Sequence, residues 1–86
     1  MGGEGMTAGV WEVDLHGKNE YQARVTIDAA LRRAKSGTYR IRCIHGHHGG
    51  TVLRDMIRRE YARHPQVRRV ETGLGPGVTD LVLREF

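Results

Sequence analysis

The chain has 86 residues, of which 38% are hydrophobic and one is cysteine. This length allows one small domain with a two-layer core and excludes a second domain. A single cysteine cannot form an intrachain disulfide, and no apolar run approaches the roughly 20 residues of a membrane span. The N-terminus lacks a secretory signal pattern, so we expect a cytoplasmic protein with no membrane partner.

The formal net charge of +4 is unevenly distributed along the chain. Residues 1–35 carry five basic and five acidic residues, whereas residues 36–86 carry nine arginines and no lysine against five acidic residues. Arginine suits bidentate phosphate contacts, so the excess favours a polyanionic partner, although a solvated basic surface explains it equally well. Arginines on or beside the predicted strands could line a basic sheet face: Arg40, Arg42, Arg68, Arg69 and Arg84.

The N-terminal segment, residues 1–9, is rich in glycine and is predicted to be a disordered tail before a single domain over residues 10–86. Residues 11–15 alternate apolar and acidic side chains, which predicts a strand with one covered face. Glu12 and Asp14 point to the other face, as His16 does if the strand persists.

A helix is predicted over residues 20–36, with Asn19 as its N-cap and Gly37 after its end. A second strand follows over residues 39–44, and a second helix over residues 51–63.

Two further strands are predicted over residues 67–72 and 78–84, joined in a hairpin by a glycine-rich turn at 73–77. The element order is therefore β-α-β-α-β-β. A helical crossover makes the first two strands parallel, and the hairpin makes the last two antiparallel. We predict an α/β fold, a two-layer sandwich of two helices on a four-stranded mixed sheet.

Two His–Gly turns follow the first two strands, one at His16-Gly17 and one over residues 45–50. If these strands are parallel neighbours, both turns lie at the carboxyl edge of the sheet, where open α/β sheets bind ligands. Glycine allows close approach of the backbone, and the second helix begins at the end of the longer turn. Its N-terminus favours an anion such as phosphate.

Each candidate residue has a functional and a structural interpretation. Asp14 could orient His16 for acid–base catalysis, or it could cap backbone N–H groups while His16 only packs. His45 continues a covered strand face, so it is either a buried, hydrogen-bonded ring or a proton-transfer group. His47 and His48 either contact phosphate or bases, or are solvated.

The other candidates are Arg54 and a metal site. Arg54 lies in the first helical turn, where a bound anion would offset its unfavourable position, unless its side chain only extends into solvent. Asp14, His16, His45 and His47 offer enough donors for zinc or manganese, but no HxxxH or HExxH spacing is present. We therefore assign no metal and no cofactor, and leave a divalent metal as an open alternative.

At these residues the chain resembles a small MutS-related (Smr) domain. The first motif is VDLHG at residues 13–17, the second is the His–Gly turn followed by Leu53-Arg54, and the third is Gly77-Val78-Thr79. The resemblance covers about residues 11–85. The family's usual second motif is His-Gly-x-Gly-x-Gly, whereas here His48 occupies the fourth place and the loop is one residue longer. This form is similar to that of a stand-alone bacterial variant.

The resemblance implies a fold similar to the C-terminal domain of bacterial translation initiation factor three, and it implies nucleic-acid binding. For several members of the family, the implied activity includes nicking of DNA or RNA. We therefore interpret the chain as a nucleic-acid-binding domain that cleaves phosphodiester bonds. The alternative is a non-catalytic module for structured RNA, ribosomes or branched DNA. The sequence leaves DNA against RNA and the oligomeric state open.

The residues assigned to this site form two groups. The catalytic candidates are Asp14, His16 and His45. The phosphate-binding candidates are Gly46, His47, His48, Gly49, Gly50, Thr51 and Arg54.

Overall fold

The computed structural model describes the backbone of residues 4–47 and 51–85 and the side chains of residues 8–47 and 51–85. Its strands are β1 (Glu4–Thr7), β2 (Val10–Asp14), β3 (Arg40–Ile44), β4 (Arg69–Thr72) and β5 (Val78–Val82), and its helices are α1 (Glu20–Arg33) and α2 (Thr51–Tyr61). The strands form one sheet in the order β1-β2-β3-β5-β4. Strands β2 and β3 are parallel, and the other neighbours are antiparallel. The predicted α/β class, with a mixed sheet and two helices, is confirmed.

Strand β1 was not expected from the sequence, which predicts a disordered tail over residues 1–9. Glu4–Thr7 instead pair antiparallel with β2, so one edge strand is added to the predicted four. The turn between them uses positive φ angles at Ala8 (53°) and Gly9 (81°), a conformation that glycine adopts without strain. The segment shows no alternation of apolar side chains, and backbone pairing to an available strand edge adds it to the sheet.

Helix α1 begins where the sequence predicts. The side chain of Asn19 accepts a hydrogen bond from the backbone N–H of Gln22 at 2.8 Å, and the Gln22 side chain accepts one from the Asn19 N–H at 3.0 Å. This reciprocal capping box satisfies two N–H groups at the helix start. The helix ends at Arg33, before the predicted residue 36, because Ser36 and Gly37 form a turn.

The two helices lie side by side on one face of the sheet and enclose the core. Arg24 of α1 donates to both carboxylate oxygens of Glu60 in α2 at 2.8 Å, and the Tyr61 hydroxyl donates to Asp28 at 2.7 Å. Beneath the helices, inward residues of the strands are fully buried, among them Val13, Ile41, Cys43 and Leu81. None of the described helices has the length and apolar character needed to cross a membrane.

The opposite sheet face is charged but not basic, so the predicted basic sheet face is wrong for its central residues. Asp80 is 1% exposed and accepts hydrogen bonds from Arg40 at 2.8 Å and from Arg42 at 3.1 Å. Glu71 contacts Arg40 and Arg69 in the same way. Carboxylates on β4 and β5 therefore neutralise these arginines, which follows from a strand pairing that the sequence alone did not reveal.

Candidate functional site

The two His–Gly turns meet at the carboxyl edge of the sheet. The backbone N–H of Leu15, just after β2, donates to the carbonyl of Ile44 at the end of β3 at 2.8 Å. A Cβ placed on Gly46 would lie 3.9 Å from the Cβ of His16, so the turns are in van der Waals contact. Gly17 and Gly46 have φ angles of +79° and +80°, which explains glycine at the second position of each turn.

Asp14 and His16 form a hydrogen-bonded pair on the exposed side of this edge. One carboxylate oxygen of Asp14 accepts a hydrogen bond from the His16 backbone N–H at 3.1 Å. The same oxygen lies 2.6 Å from Nδ1 of the His16 ring. An ionised carboxylate only accepts hydrogen bonds, so Nδ1 carries the proton and Nε2 of the neutral ring keeps its lone pair. Both predicted interpretations of Asp14 are present, because it caps a backbone N–H and also orients the ring.

The charge state of Asp14 is well defined by its neighbours. The side-chain hydrogen bond from His16 is the largest influence holding the pKa of Asp14 below its usual value, partly offset by desolvation, and the Lys18 charge acts in the same direction as His16. The His16 side chain is 72% exposed, and its Nε2 has no hydrogen-bond partner among the described residues. The pair therefore presents Nε2 of His16 to solvent beside the Asp14 carboxylate.

His45 has a different environment. Its residue is 3% exposed, with Nδ1 at 2.9 Å from the Gly46 carbonyl and Nε2 at 2.8 Å from the Thr79 hydroxyl. A carbonyl oxygen only accepts, so Nδ1 donates and Nε2 accepts from Thr79. Both ring nitrogens of His45 therefore have hydrogen-bond partners within the protein.

The third motif supports the second turn directly. The Gly77 carbonyl accepts from the backbone N–H groups of His45 and Gly46, each at 3.0 Å. A Cβ on Gly77 would lie 3.1 Å from the Cα of Gly46, closer than a side chain can approach a backbone without displacement. The sequence analysis identified this motif but not its function of holding the His–Gly turn in place.

A depression of about 810 Å³ lies between the turns and is lined by Asp14, His16, Gly17, Lys18, Ile44, His45, Gly46, His47 and Leu53. Lys18 is the residue that the sequence analysis missed. Its backbone N–H donates to the Leu15 carbonyl at 3.0 Å, so the chain turns back at this point and Lys18 returns to the depression beside Asp14. Its place directly after His16-Gly17 was the available signal.

The predicted phosphate-binding residues differ from one another in position and in hydrogen-bond partners. Gly46 and His47 line the depression, but the Gly46 N–H is already bonded to Gly77, so it is not a donor for an anion here. Thr51 is exposed at the start of α2. Arg54 donates to the Asp55 carboxylate at 3.2 Å, which offsets its position in the first turn without a bound anion. The remaining candidates lie outside the described residues: His48, Gly49 and Gly50.

Within the described ranges, no group of three or more His, Cys, Asp or Glu side chains is arranged to hold a metal ion. The donors at the carboxyl edge divide into the exposed Asp14–His16 pair and the buried His45 ring, whose nitrogens are both engaged.

Comparison with protein families gives a match to the Smr domain over residues 13–79. The chain belongs to the Smr domain family. The crystal structure of the Smr domain of Thermus thermophilus MutS2 is similar to it, with 34% sequence identity and a TM-score of 0.75. The similarity covers 86% of this chain and 98% of that one. Comparison with curated proteins gave no match.

Smr domains are known generally as nucleic-acid-binding modules. In this Smr domain the family match begins at Val13, within β2, and ends at Thr79, the hydrogen-bond partner of His45. It therefore includes all three motifs and both His–Gly turns, whereas strand β1 lies outside it.

Proposed function

We propose that this Smr domain binds nucleic acid at the depression between its two His–Gly turns and cleaves a phosphodiester bond there. The observation that carries the proposal is the 2.6 Å hydrogen bond between Asp14 and His16 Nδ1. It leaves Nε2 of an exposed ring as a base at the rim of a depression that also contains Lys18. Base, orienting carboxylate and cation are the groups that phosphoryl transfer requires.

In the proposed reaction, Nε2 of His16 takes a proton from the attacking hydroxyl, either of water or of a ribose 2′-OH. A new P–O bond forms to that oxygen, and the bond to the leaving oxygen breaks. The ionised Asp14 stabilises the positive ring until the proton passes on to the leaving oxygen or to water. Lys18 lies beside this pair, and its ammonium group is suited to offset phosphate charge.

The first test compares cleavage of labelled RNA and DNA by the wild type and by His16→Ala and Asp14→Asn. General acid–base groups contribute roughly 10² to 10⁴-fold to a rate, so we expect each variant to lose about this much cleavage while its affinity persists. His64→Gln is the matched control, since His64 stacks on Tyr61 and lies outside the depression. Equal cleavage by His16→Ala and the wild type would refute the catalytic assignment.

A binding module without cleavage is the second candidate, and the geometry of His45 favours it. Because its ring nitrogens are engaged with Gly46 and Thr79, the described part of the site offers a single oriented Asp–His pair. Structured RNA, ribosomes or branched DNA would then occupy the same edge uncleaved. Binding with no product, with or without a divalent metal, would select this function. Products with 2′,3′-cyclic ends would instead show attack by the ribose hydroxyl.

A further inference from the structure

A second concentration of positive charge lies at the edge of the sheet opposite the His–Gly turns. Lys35 follows α1, Arg68 precedes β4 and Arg84 follows β5, and all three side chains are exposed. Together with Thr38 and Gln66 they line a cavity of about 460 Å³. We name Lys35, Arg68 and Arg84 the distal basic cluster. The three cations lie in three separate segments outside the helices and strands, so no single sequence motif predicts the cluster.

Among the residues that the structure describes, the distal basic cluster has no acidic counterpart. No carboxylate is among the described residues that line its cavity, and none of its three side chains has an ion pair within the described residues. Glu85 follows Arg84 in the chain, but its carboxylate contacts Arg69. The sheet face shows the opposite arrangement, since its arginines are held by Asp80 and Glu71. Like charges gathered without counterions favour an anionic ligand.

The end of helix α1 does not explain the cluster. Arg32 and Arg33 occupy the last turn of α1, where cations complement the negative end of the helix dipole. Arg68 and Arg84 flank strands, so that explanation does not extend to them.

We propose that the distal basic cluster contacts backbone phosphates of the same nucleic acid that binds at the carboxyl edge, an inference that rests on the proposed function. Thr38 and Ile44 mark the two edges along β3 and are six residues apart. At about 3.3 Å per residue the edges are roughly 20 Å apart. That distance corresponds to roughly six base pairs of duplex at about 3.4 Å each. A nucleic acid of about six base pairs or more is therefore long enough to span the distance between the two edges.

The test compares Arg68→Gln/Arg84→Gln with the matched control Arg58→Gln/Arg59→Gln, which removes two exposed positive charges from α2. The probes are fluorescent 20-nucleotide RNA and DNA, single-stranded and duplex, titrated at several salt concentrations. Loss of two phosphate contacts should make the slope of log affinity against log salt shallower by roughly 1.4 for single strands or 1.8 for duplex. We expect this for the distal variant and a much smaller change for the control.

The outcomes separate this inference from the proposed function. His16→Ala should lower cleavage by roughly 10² to 10⁴-fold with an unchanged salt slope. The distal variant should cleave at the wild-type rate when saturated and require more substrate to saturate. Equal slopes for the distal and control variants, with a wild type that binds and cleaves, would overturn the distal contact alone. A wild type that binds none of the probes would overturn both. The charge reversal Arg68→Glu/Arg84→Glu should enlarge the loss of affinity if the contact exists.

Discussion

The two His–Gly turns contain the same dipeptide at the ends of two parallel strands, yet their histidines have opposite environments. His16 is exposed and bonded to a carboxylate, whereas His45 is 3% exposed and bonded to a hydroxyl and a carbonyl. The cause is strand parity. His45 continues the inward series of Ile41 and Cys43, while His16 lies one position out of phase with the inward Val13 and Leu15 of its own strand.

A repeated motif therefore need not repeat a function. His45 and Gly46 of the buried turn are held by hydrogen bonds to Thr79 and Gly77, whereas the ring of His16 in the exposed turn is oriented by Asp14. The two turns are in contact, with Gly46 adjacent to His16. We therefore expect substitutions at the two turns to separate stability from activity.

The largest expected contrast is between His45→Ala and His16→Ala. Removing the His45 ring leaves a cavity and an unpartnered Thr79 hydroxyl, so the free energy of unfolding should fall by about 2–4 kcal/mol. His16→Ala removes an exposed ring, so it should change the free energy of unfolding by less than about 0.5 kcal/mol while lowering cleavage by roughly 10² to 10⁴-fold. Urea denaturation followed by circular dichroism measures both. Equal stability of the two variants would contradict the division between the turns.

A smaller effect is expected at Gly77, whose hydrogen positions face the second turn. An added Cβ would lie 3.1 Å from two backbone atoms of Gly46, so Gly77→Ala should cost about 1–3 kcal/mol by displacing the turn. Gly75→Ala is the control, because nothing lies within 4 Å of its Cβ position. Thermal unfolding of both variants measures the difference. A destabilised Gly75→Ala with an unaffected Gly77→Ala would refute the supporting role of Gly77.

The smallest expected effect is the pH dependence of the stability that the exposed Asp14–His16 pair contributes. The folded-state pKa of Asp14 is lowered from 3.8, chiefly by the hydrogen bond from His16, so ionised Asp14 stabilises the fold above pH 3.8. That contribution is lost as the pH falls through the lowered pKa. Because the pair is solvent-exposed, we expect less than about 1 kcal/mol. The stability difference between the wild type and Asp14→Asn should shrink on acidification from pH 6 to pH 2.5. A constant difference would show that Asp14 is not coupled to folding.

Much of the candidate site could be predicted because its determinants are local. The order of elements, the turn glycines and the contact between the two turns follow from periodicity and from the topology of parallel strands. The alternation of inward and outward residues along the strand also predicted that His45 could be buried. It could not identify Thr79 as the hydrogen-bond partner of His45. The position of Lys18 directly after His16-Gly17 was a signal in the sequence, whereas its hydrogen bond to the Leu15 carbonyl is visible only in the folded chain.

The helices, the four predicted strands and the side of the sheet on which each turn histidine lies depend on neighbours a few residues apart, so the local pattern of side chains was enough to predict them. Which charges are neutralised depends instead on contacts between distant parts of the chain. Arg42 meets Asp80 through the pairing of β3 with β5. Arg68 and Arg84 line a cavity with Lys35, and none of the described residues that line it carries a carboxylate. Electrostatic interaction depends on distance in space rather than along the chain, so identical arginines became structural in one region and available to a ligand in the other.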